Sequence, residues 1–489
     1  MSPEALKSHV AKKSSFAGDV TKLVSGTAFA QAVSLLAAPI IAHLYAPEAW
    51  GVLAIFTSIT GILGVIACLR YELAIMLPEK DEEAINLLGV SLVFAILIAL
   101  LTMPIIYWGR GPILRWLNAP GLELYLWLVP VMIFIHGVFL GLNYWNSRTR
   151  HFGRLSIARV ASSLTTTIGK LGFGYGGYAT AGTMIGATVA GQAFATTVLG
   201  GQTWRDDRKL FYKSIRWREI LTGIKRYKKF PIYSSWSGLL NTTSWQLPVL
   251  MLGAFFTPTI VGFYALGFRI LQIPMSLIGS AIGQVFHQRA AEAKMQGTLA
   301  PLVEGLIKRL LTICLFPMLM LTIIGRDLYI IVFGETWAEA GVYTQILSIW
   351  ALVWFISSPL STLYGVLEKQ EQGLFLQLLI FITRILSIGI GAYCGSARLA
   401  LLLFSVSGII AYGYLVYKIL RFSGASLHTI MSGLSKCSLM SFLLLLIILT
   451  TKIASEMPIF IVSIGIICTI PYYIVLRNDI VLGEKVHNE

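Results

Sequence analysis

The 489 residues are 56% hydrophobic and only 12% charged, with a mean hydropathy of +0.75 and a formal net charge of +15. A soluble domain carries roughly 25% charged residues, and no soluble core could hide this much apolar chain. A water-soluble enzyme or binding module is therefore excluded, and an integral membrane protein is expected.

Fourteen apolar stretches follow one another along the chain, near 21–44, 49–69, 85–108, 122–143, 156–176, 179–200, 230–256, 259–284, 305–325, 342–367, 374–394, 397–418, 430–451 and 458–476. Backbone in lipid must satisfy its own hydrogen bonds, so each stretch reads as a membrane-crossing helix, and nothing alternates like a barrel strand. The first nineteen residues are polar and basic, and the first apolar run is long enough to span, so no cleaved leader is expected. Between the first two stretches lies Pro47-Glu-Ala-Trp-Gly51-Val-Leu-Ala54. It returns 211 residues later as Pro258-Thr-Ile-Val-Gly262-Phe-Tyr-Ala265, again between two long apolar runs. Proline at such a junction ends one helix and pre-sets the next, and a glycine four residues on lets helices approach closely. The recurrence points to an internal duplication.

An even number of spans puts both termini on one side, and charge decides which. The loops on the terminal side hold 26 of the 38 Lys and Arg residues; those on the opposite side hold Arg110, Arg115, Arg326, Arg398 and Lys452. By the positive-inside rule both termini are cytoplasmic. The longest polar segment, Thr203 to Lys229, contains Trp217, Ile220, Leu221, Ile224 and Tyr227 at helical spacing among basic residues, which reads as an amphipathic interfacial linker. The expected organisation is all-α and polytopic. Residues 1–202 form one six-helix lobe, 203–229 the cytoplasmic linker, 230–420 a second lobe of the same orientation, and 421–489 two extra spans and a tail.

Several stretches resemble a known family. These are Arg70-Tyr-Glu-Leu-Ala-Ile-Met-Leu-Pro78 with Glu82-Glu-Ala-Ile-Asn-Leu-Leu88; Trp145-Asn-Ser-Arg148 through Phe152-Gly-Arg-Leu-Ser-Ile-Ala-Arg159; Gly283-Gln-Val-Phe286 with Gln288-Arg-Ala-Ala-Glu292; and Phe333-Gly-Glu-Thr-Trp337-Ala-Glu-Ala-Gly341. Together they resemble the bacterial polysaccharide transporters, the O-antigen (Wzx-type) flippases of the MATE-like exporter superfamily. The resemblance implies a V-shaped pair of lobes around a cavity that opens alternately to each side. It also implies a polyprenyl-diphosphate-linked oligosaccharide as substrate, as in O-antigen and lipopolysaccharide synthesis, and a place in the bacterial inner membrane. Membrane lipid, H⁺ or Na⁺ as a coupling ion and a polysaccharide polymerase are the further partners it suggests.

Read on their own terms, the residues offer a compatible chemistry. Lys170, Arg269 and Arg384 lie well inside spans, where a charge costs at least about 2.5–3.5 kcal/mol, and no Asp or Glu lies at similar depth. Facing a wet cavity they would attract an anion, and a diphosphate suits an arginine fork. The alternative is that each donates to helix carbonyls or snorkels to an interface. Trp236, Asn241, Trp245, Gln246 and Gln272 could stack on and bond sugars, or they could belt the interface and join helices. Arg70 and Glu72 could gate the cytoplasmic mouth or lie in a solvated loop. His43 and His136 are candidate proton carriers or packing residues.

The five cysteines, Cys68, Cys314, Cys394, Cys437 and Cys468, show no ligand spacing. No phosphate-binding glycine loop, metal set, nucleophile constellation or cofactor motif is evident, so a non-enzymatic transporter is expected, and nothing requires nucleic acid. An ion-coupled drug or cation antiporter of the same superfamily is the alternative. The absence of Asp or Glu between Asp19 and Glu48 speaks against a cationic substrate.

Overall fold

A computed structural model describes residues 16–477, and among these every regular element is helical. The long helices are α1 (Phe16–Leu44), α2 (Pro47–Val65), α4 (Asp81–Trp116), α5 (Leu128–Arg148), α6 (Phe152–Tyr175) and α7 (Ala181–Ser214), with a four-residue α3 (Tyr71–Ala74) between α2 and α4. The linker helix α8 (Trp217–Arg226) and a π turn at Phe230–Ser234 lead into α9 (Ser235–Phe255). Then come α10 (Pro258–Leu271), a π turn at Met275–Gly279, α11 (Ser280–Gln296), α12 (Leu299–Phe333), α13 (Ala338–Leu360), the short α14 (Leu363–Val366), α15 (Gln370–Tyr393), α16 (Ala397–Ser423), α17 (Leu427–Gly433), α18 (Ser435–Ala454) and α19 (Pro458–Val475).

Ten of the described helical runs are long and apolar enough to cross a membrane, which makes this an all-α, polytopic membrane fold. All fourteen apolar stretches of the sequence are helical. The stretches at α6, α7, α9 and α10–α11 fall outside the ten, being diluted with Gly, Ser and Thr or broken at Met275–Gly279 by a π turn. The terminal residues that bear on the sidedness expectation, including Lys7, Lys12, Lys13 and Lys485, lie outside the described residues, as does the side chain of Gln284.

The helices gather into two compact units. The first comprises the described residues up to Tyr45 with Phe56–Trp116 and Pro120–Gln246; the second comprises Ala46–Ile55, Leu117–Ala119 and the residues from Leu247 on. The division thus falls inside α9, and not at the linker. In the first unit Ile220 of α8 enters the core built by Tyr71, Ala74, Ile75, Leu87, Leu88 and Trp145, and the Tyr71 hydroxyl donates to the Ile224 carbonyl at 3.1 Å. Packing thereby ties the amphipathic linker to the first lobe. Its other apolar residues, Trp217 and Leu221, stay exposed.

The second unit explains the repeated motif. The first half of α2 lies against the start of α10, so that the two copies meet. The missing side chain of Gly51 makes room for the carbonyl of Pro258, and that of Gly262 makes room for the carbonyl of Pro47. Trp50 and Phe263, each next to one of these glycines, both place a ring edge-on against the fully buried Trp337 at centroid distances of 5.6 and 6.0 Å. Also in this unit, α18 and α19 dock on α12. The Tyr472 hydroxyl donates to the Thr312 carbonyl at 2.8 Å, and Lys452 pairs with the buried carboxylate of Asp327 at 2.9 Å.

Candidate functional site

Residues of the motifs that carry the family resemblance brace helix ends and loops. Arg148, from the second motif, pairs with Asp81 at 2.9 Å and donates to the carbonyls of Ile75 and Glu79 at 3.1 and 3.2 Å, so it holds the loop of the first motif closed. Trp145 donates its indole N–H to Asp207 at 2.9 Å. Arg154 reaches Asn146 at 3.1 Å and Asp206 at 2.8 Å. In the second unit Glu339 takes a two-bond fork from Arg398 at 2.8 and 2.6 Å. Planar two-bond pairing fixes orientation as well as distance, so these residues are scaffold that holds helix ends in register.

Against that scaffold, one cluster in the first unit stands out. Leu69 and Arg70 adopt left-handed backbone, with φ of 47° and 63°, which is uncommon for residues with side chains. The turn places Glu72 at 0% exposure. Its nearest cation is Arg70, at 3.7 Å, too far for a hydrogen bond. Neither carboxylate oxygen of Glu72, nor Nε of Arg70, has a hydrogen-bond partner among the described residues. Burial pushes the Glu72 carboxyl above the usual carboxylate range, and Arg70 pulls it only part of the way back. The Arg70 guanidinium lies over Gly238 on α9, where any larger residue would collide with it.

The basic candidates are distributed over both units. In the first, α1 and α6 share a polar seam. Ser34 and Ser163 bond at 3.0 Å, the Ser163 hydroxyl donates to the Ala30 carbonyl at 2.7 Å, and Arg159 donates to Thr27 at 2.6 Å. Arg159, near the start of α6, is therefore a seam residue. Lys170 follows it by three turns on the same helix, about 16 Å further along at 1.5 Å per residue, and is 9% exposed. The Lys170 carbonyl accepts from the buried hydroxyl of Tyr45 at 2.8 Å.

In the second unit Arg269 is half-buried near the end of α10. Arg384 differs from the expectation of a wet wall: it is 4% exposed, donates to the Tyr412 hydroxyl at 3.2 Å and lies 5.6 Å from the Phe404 ring centroid. Both rings come from α16, and a ring face and a phenol can compensate a guanidinium without a carboxylate. Hydropathy along the chain carries no trace of such an enclosure.

The sugar candidates part company too. Gln246 accepts from Ser58 at 2.9 Å and lies against Gly61, so in this structure it joins α9 to α2. Trp236 and Asn241 are exposed, Trp245 is half-buried, and Gln272 is half-buried at the end of α10. His136 is half-buried against Gly64, and His43 is exposed, its Nδ1 2.8 Å from the Pro39 carbonyl. No group of three or more His, Cys, Asp or Glu among the described residues could hold a metal ion.

Comparison with known proteins settles the family. The model of a family described as "Polysaccharide biosynthesis protein" matches residues 40–342, more than half the chain. This chain belongs to the polysaccharide biosynthesis protein family. A relative within reach of sequence is the teichuronic acid biosynthesis protein TuaB of Bacillus subtilis (strain 168), 23% identical over 289 residues. That alignment takes in 58% of this chain and 57% of TuaB, so the chain spans little more than half the length of this relative. By structure the chain resembles the lipid II flippase MurJ in an inward closed conformation, with a TM-score of 0.74, 13% identity, and 93% of this chain and 99% of that one covered. A multidrug resistance MATE family transporter of the MOP superfamily, inward-facing, gives 0.63 at 15% identity, with 81% and 96% covered. At these identities the likeness is one of fold: this chain has a MurJ- and MATE-like fold.

Proposed function

We propose that this chain is a flippase. In this reading it moves a polyprenyl-diphosphate-linked oligosaccharide repeat unit, an O-antigen or other surface polysaccharide precursor, from the cytoplasmic to the outer leaflet of a bacterial inner membrane by alternating access. The observation that carries it is the placement of Arg159, Lys170 and Arg269 on long helices on which the one buried carboxylate among the described residues, Asp327, is taken up by Lys452. Cations at such depth are costly in lipid and favour an anionic cargo. A diphosphate offers several acceptor oxygens to each guanidinium. Arg384, enclosed by aromatic rings, serves in this reading as a brace for α15 against α16. The buried, hydrogen-bond-starved Glu72 is the candidate site of a coupling proton, because burial in the left-handed turn beside Arg70 holds its carboxyl above the usual carboxylate range. Both termini lie on the cytoplasmic side, and the glycan is handed to a polymerase after crossing.

The test is genetic. Deleting the gene should abolish surface polysaccharide and leave lipid-linked repeat units on the cytoplasmic side, and restoring it should reverse both effects. Arg269→Ala should fail to restore glycan while inserting at the normal level. Normal glycan in the deletion strain, with heightened sensitivity to cationic drugs, would replace the flippase with the antiporter reading.

A further inference from the structure

In the second unit, three elements converge on a small concavity of about 220 Å³ lined by Tyr364 of α14, Glu371, Gln372 and Phe375 of α15, and Tyr414 and Lys418 of α16. The placement follows from helical spacing. Residues 371, 372 and 375 share one face of the first turns of α15, and 414 and 418 stand one turn apart on α16. The Tyr364 side chain lies beside Gly373 of α15, with room between them for no more than an ordinary methyl contact. The loop after α14 is pinned from α11, where Lys294 donates to the Val366 carbonyl at 2.8 Å and pairs with Glu368 at 3.2 Å. Lys418 lies over the Tyr414 ring, 5.4 Å from its centroid, which holds the ammonium at the rim.

The chemistry of this wall is specific. It offers two phenols and a phenyl ring beside one carboxylate, one amide and one ammonium, and Glu371 and Lys418 do not pair with each other. Tyrosine and lysine at a helix end ordinarily form an interface belt. These differ because they face one concavity from three elements and leave both hydroxyl-binding partners, an acceptor and a donor, turned to it. A phospholipid phosphate would meet the like charge of Glu371. A sugar ring, which gives hydroxyl protons to a carboxylate, takes them from an ammonium and presents C–H groups to aromatic faces, meets no such conflict. Size narrows the ligand further: pockets for drug-sized molecules run to about 300–1,000 Å³, so this one takes a single ring and not a whole repeat unit.

We infer that this pocket is a glycan subsite, holding one sugar residue of the lipid-linked oligosaccharide at the basic end of α15 and α16, apart from the cations that meet the diphosphate. The inference rests on the flippase reading and adds a place where the sugar itself is read.

The experiment uses the full chain, purified in phosphatidylcholine nanodiscs. It is titrated with the oligosaccharide released by mild acid from the host's lipid-linked repeat unit, and Kd is read by thermophoresis. The wild type should bind, and Tyr414→Ala and Glu371→Gln should each weaken binding at least tenfold. Glu371 is exposed and glutamine is nearly isosteric, so that variant keeps the fold even where Tyr414→Ala loses it; unchanged melting of Glu371→Gln documents this. Equal affinity of wild type and Glu371→Gln, or no binding by the wild type, would overturn the subsite. Displacement of the oligosaccharide by phosphatidylglycerol added to the nanodiscs would make it a lipid headgroup site and overturn it as well. Failure of the flippase reading is separately visible, as unchanged surface glycan in the deletion strain.

Discussion

Consider adding one methyl group at the crossing of the repeated motif. A Cβ on Gly51 would occupy the space of the Pro258 carbonyl, and a Cβ on Gly262 that of the Pro47 carbonyl. Neither carbonyl is the far end of a flexible chain, so the helices themselves must part by roughly the thickness of a methyl group. Overpacking of this kind costs about 1–3 kcal/mol. For a unit of this size each kcal/mol lowers the melting temperature by about 2–4 °C, so Gly51→Ala or Gly262→Ala should melt about 2–12 °C below the wild type. The two changes should not add. Once one methyl has pushed α2 from α10, the second enters a gap already opened, and neighbouring substitutions with a shared backbone shift couple by about 0.5–3 kcal/mol. Melting of the purified wild type, both single variants and the double variant, followed by tryptophan fluorescence, measures this. A single variant that melts with the wild type, or a double variant whose loss equals the sum of the two, would refute the argument that the copies interlock through their glycines.

Further outcomes follow from the same geometry. Glu72 has a native pKa above its ordinary value near 4.5. The folded protein therefore keeps a proton that the unfolded chain has released, and its stability falls as pH rises through that window. Glu72→Gln removes this pH dependence, so its melting temperature should gain on the wild type as pH rises above the ordinary carboxylate value; a difference that does not change with pH would contradict the burial argument. Tyr472→Phe deletes the bonds to the Thr312 carbonyl and to Cys437, at about 0.5–1.5 kcal/mol each, and should loosen α19 from α12 without altering insertion, read as a lower melting temperature. Lys452→Met leaves the Asp327 carboxylate buried without its ammonium and should cost roughly 1–3 kcal/mol, with partial recovery in Lys452→Met/Asp327→Asn. Purified protein in lipid should hydrolyse no ATP, since no nucleotide-binding loop occurs in the sequence; measurable turnover would remove gradient- or substrate-driven transport.

The class of fold was legible from composition and pattern, because a chain so poor in charge must satisfy its backbone in lipid, and long apolar runs without strand-like alternation do so as helices. The repeated motif was legible too. Pro47 and Gly51 return as Pro258 and Gly262 because two equivalent helix junctions face the same steric demand. Family membership could be read from the motifs around Arg70, Trp145 and Phe333, although their work proved to be bracing: Arg148 holds the loop after Ile75, and Trp337 receives Trp50 and Phe263.

What no linear reading could supply was the partner of each buried polar group. Periodicity says which face of a helix is apolar, but not which remote residue meets it. Arg384 looked like an unpaired cation because Tyr412 and Phe404 are distant in sequence; packing of α15 on α16 brings them around it. Gln246 stood open between a sugar contact and a helix tie, and packing places Ser58 against it. Glu72 ran the other way: it read as a solvated loop carboxylate, and the left-handed turn at Leu69 and Arg70 drives it into the core. Depth, enclosure and pairing are properties of how helices meet, and in a chain with so few charges these contacts determine which of the charges are available to a substrate.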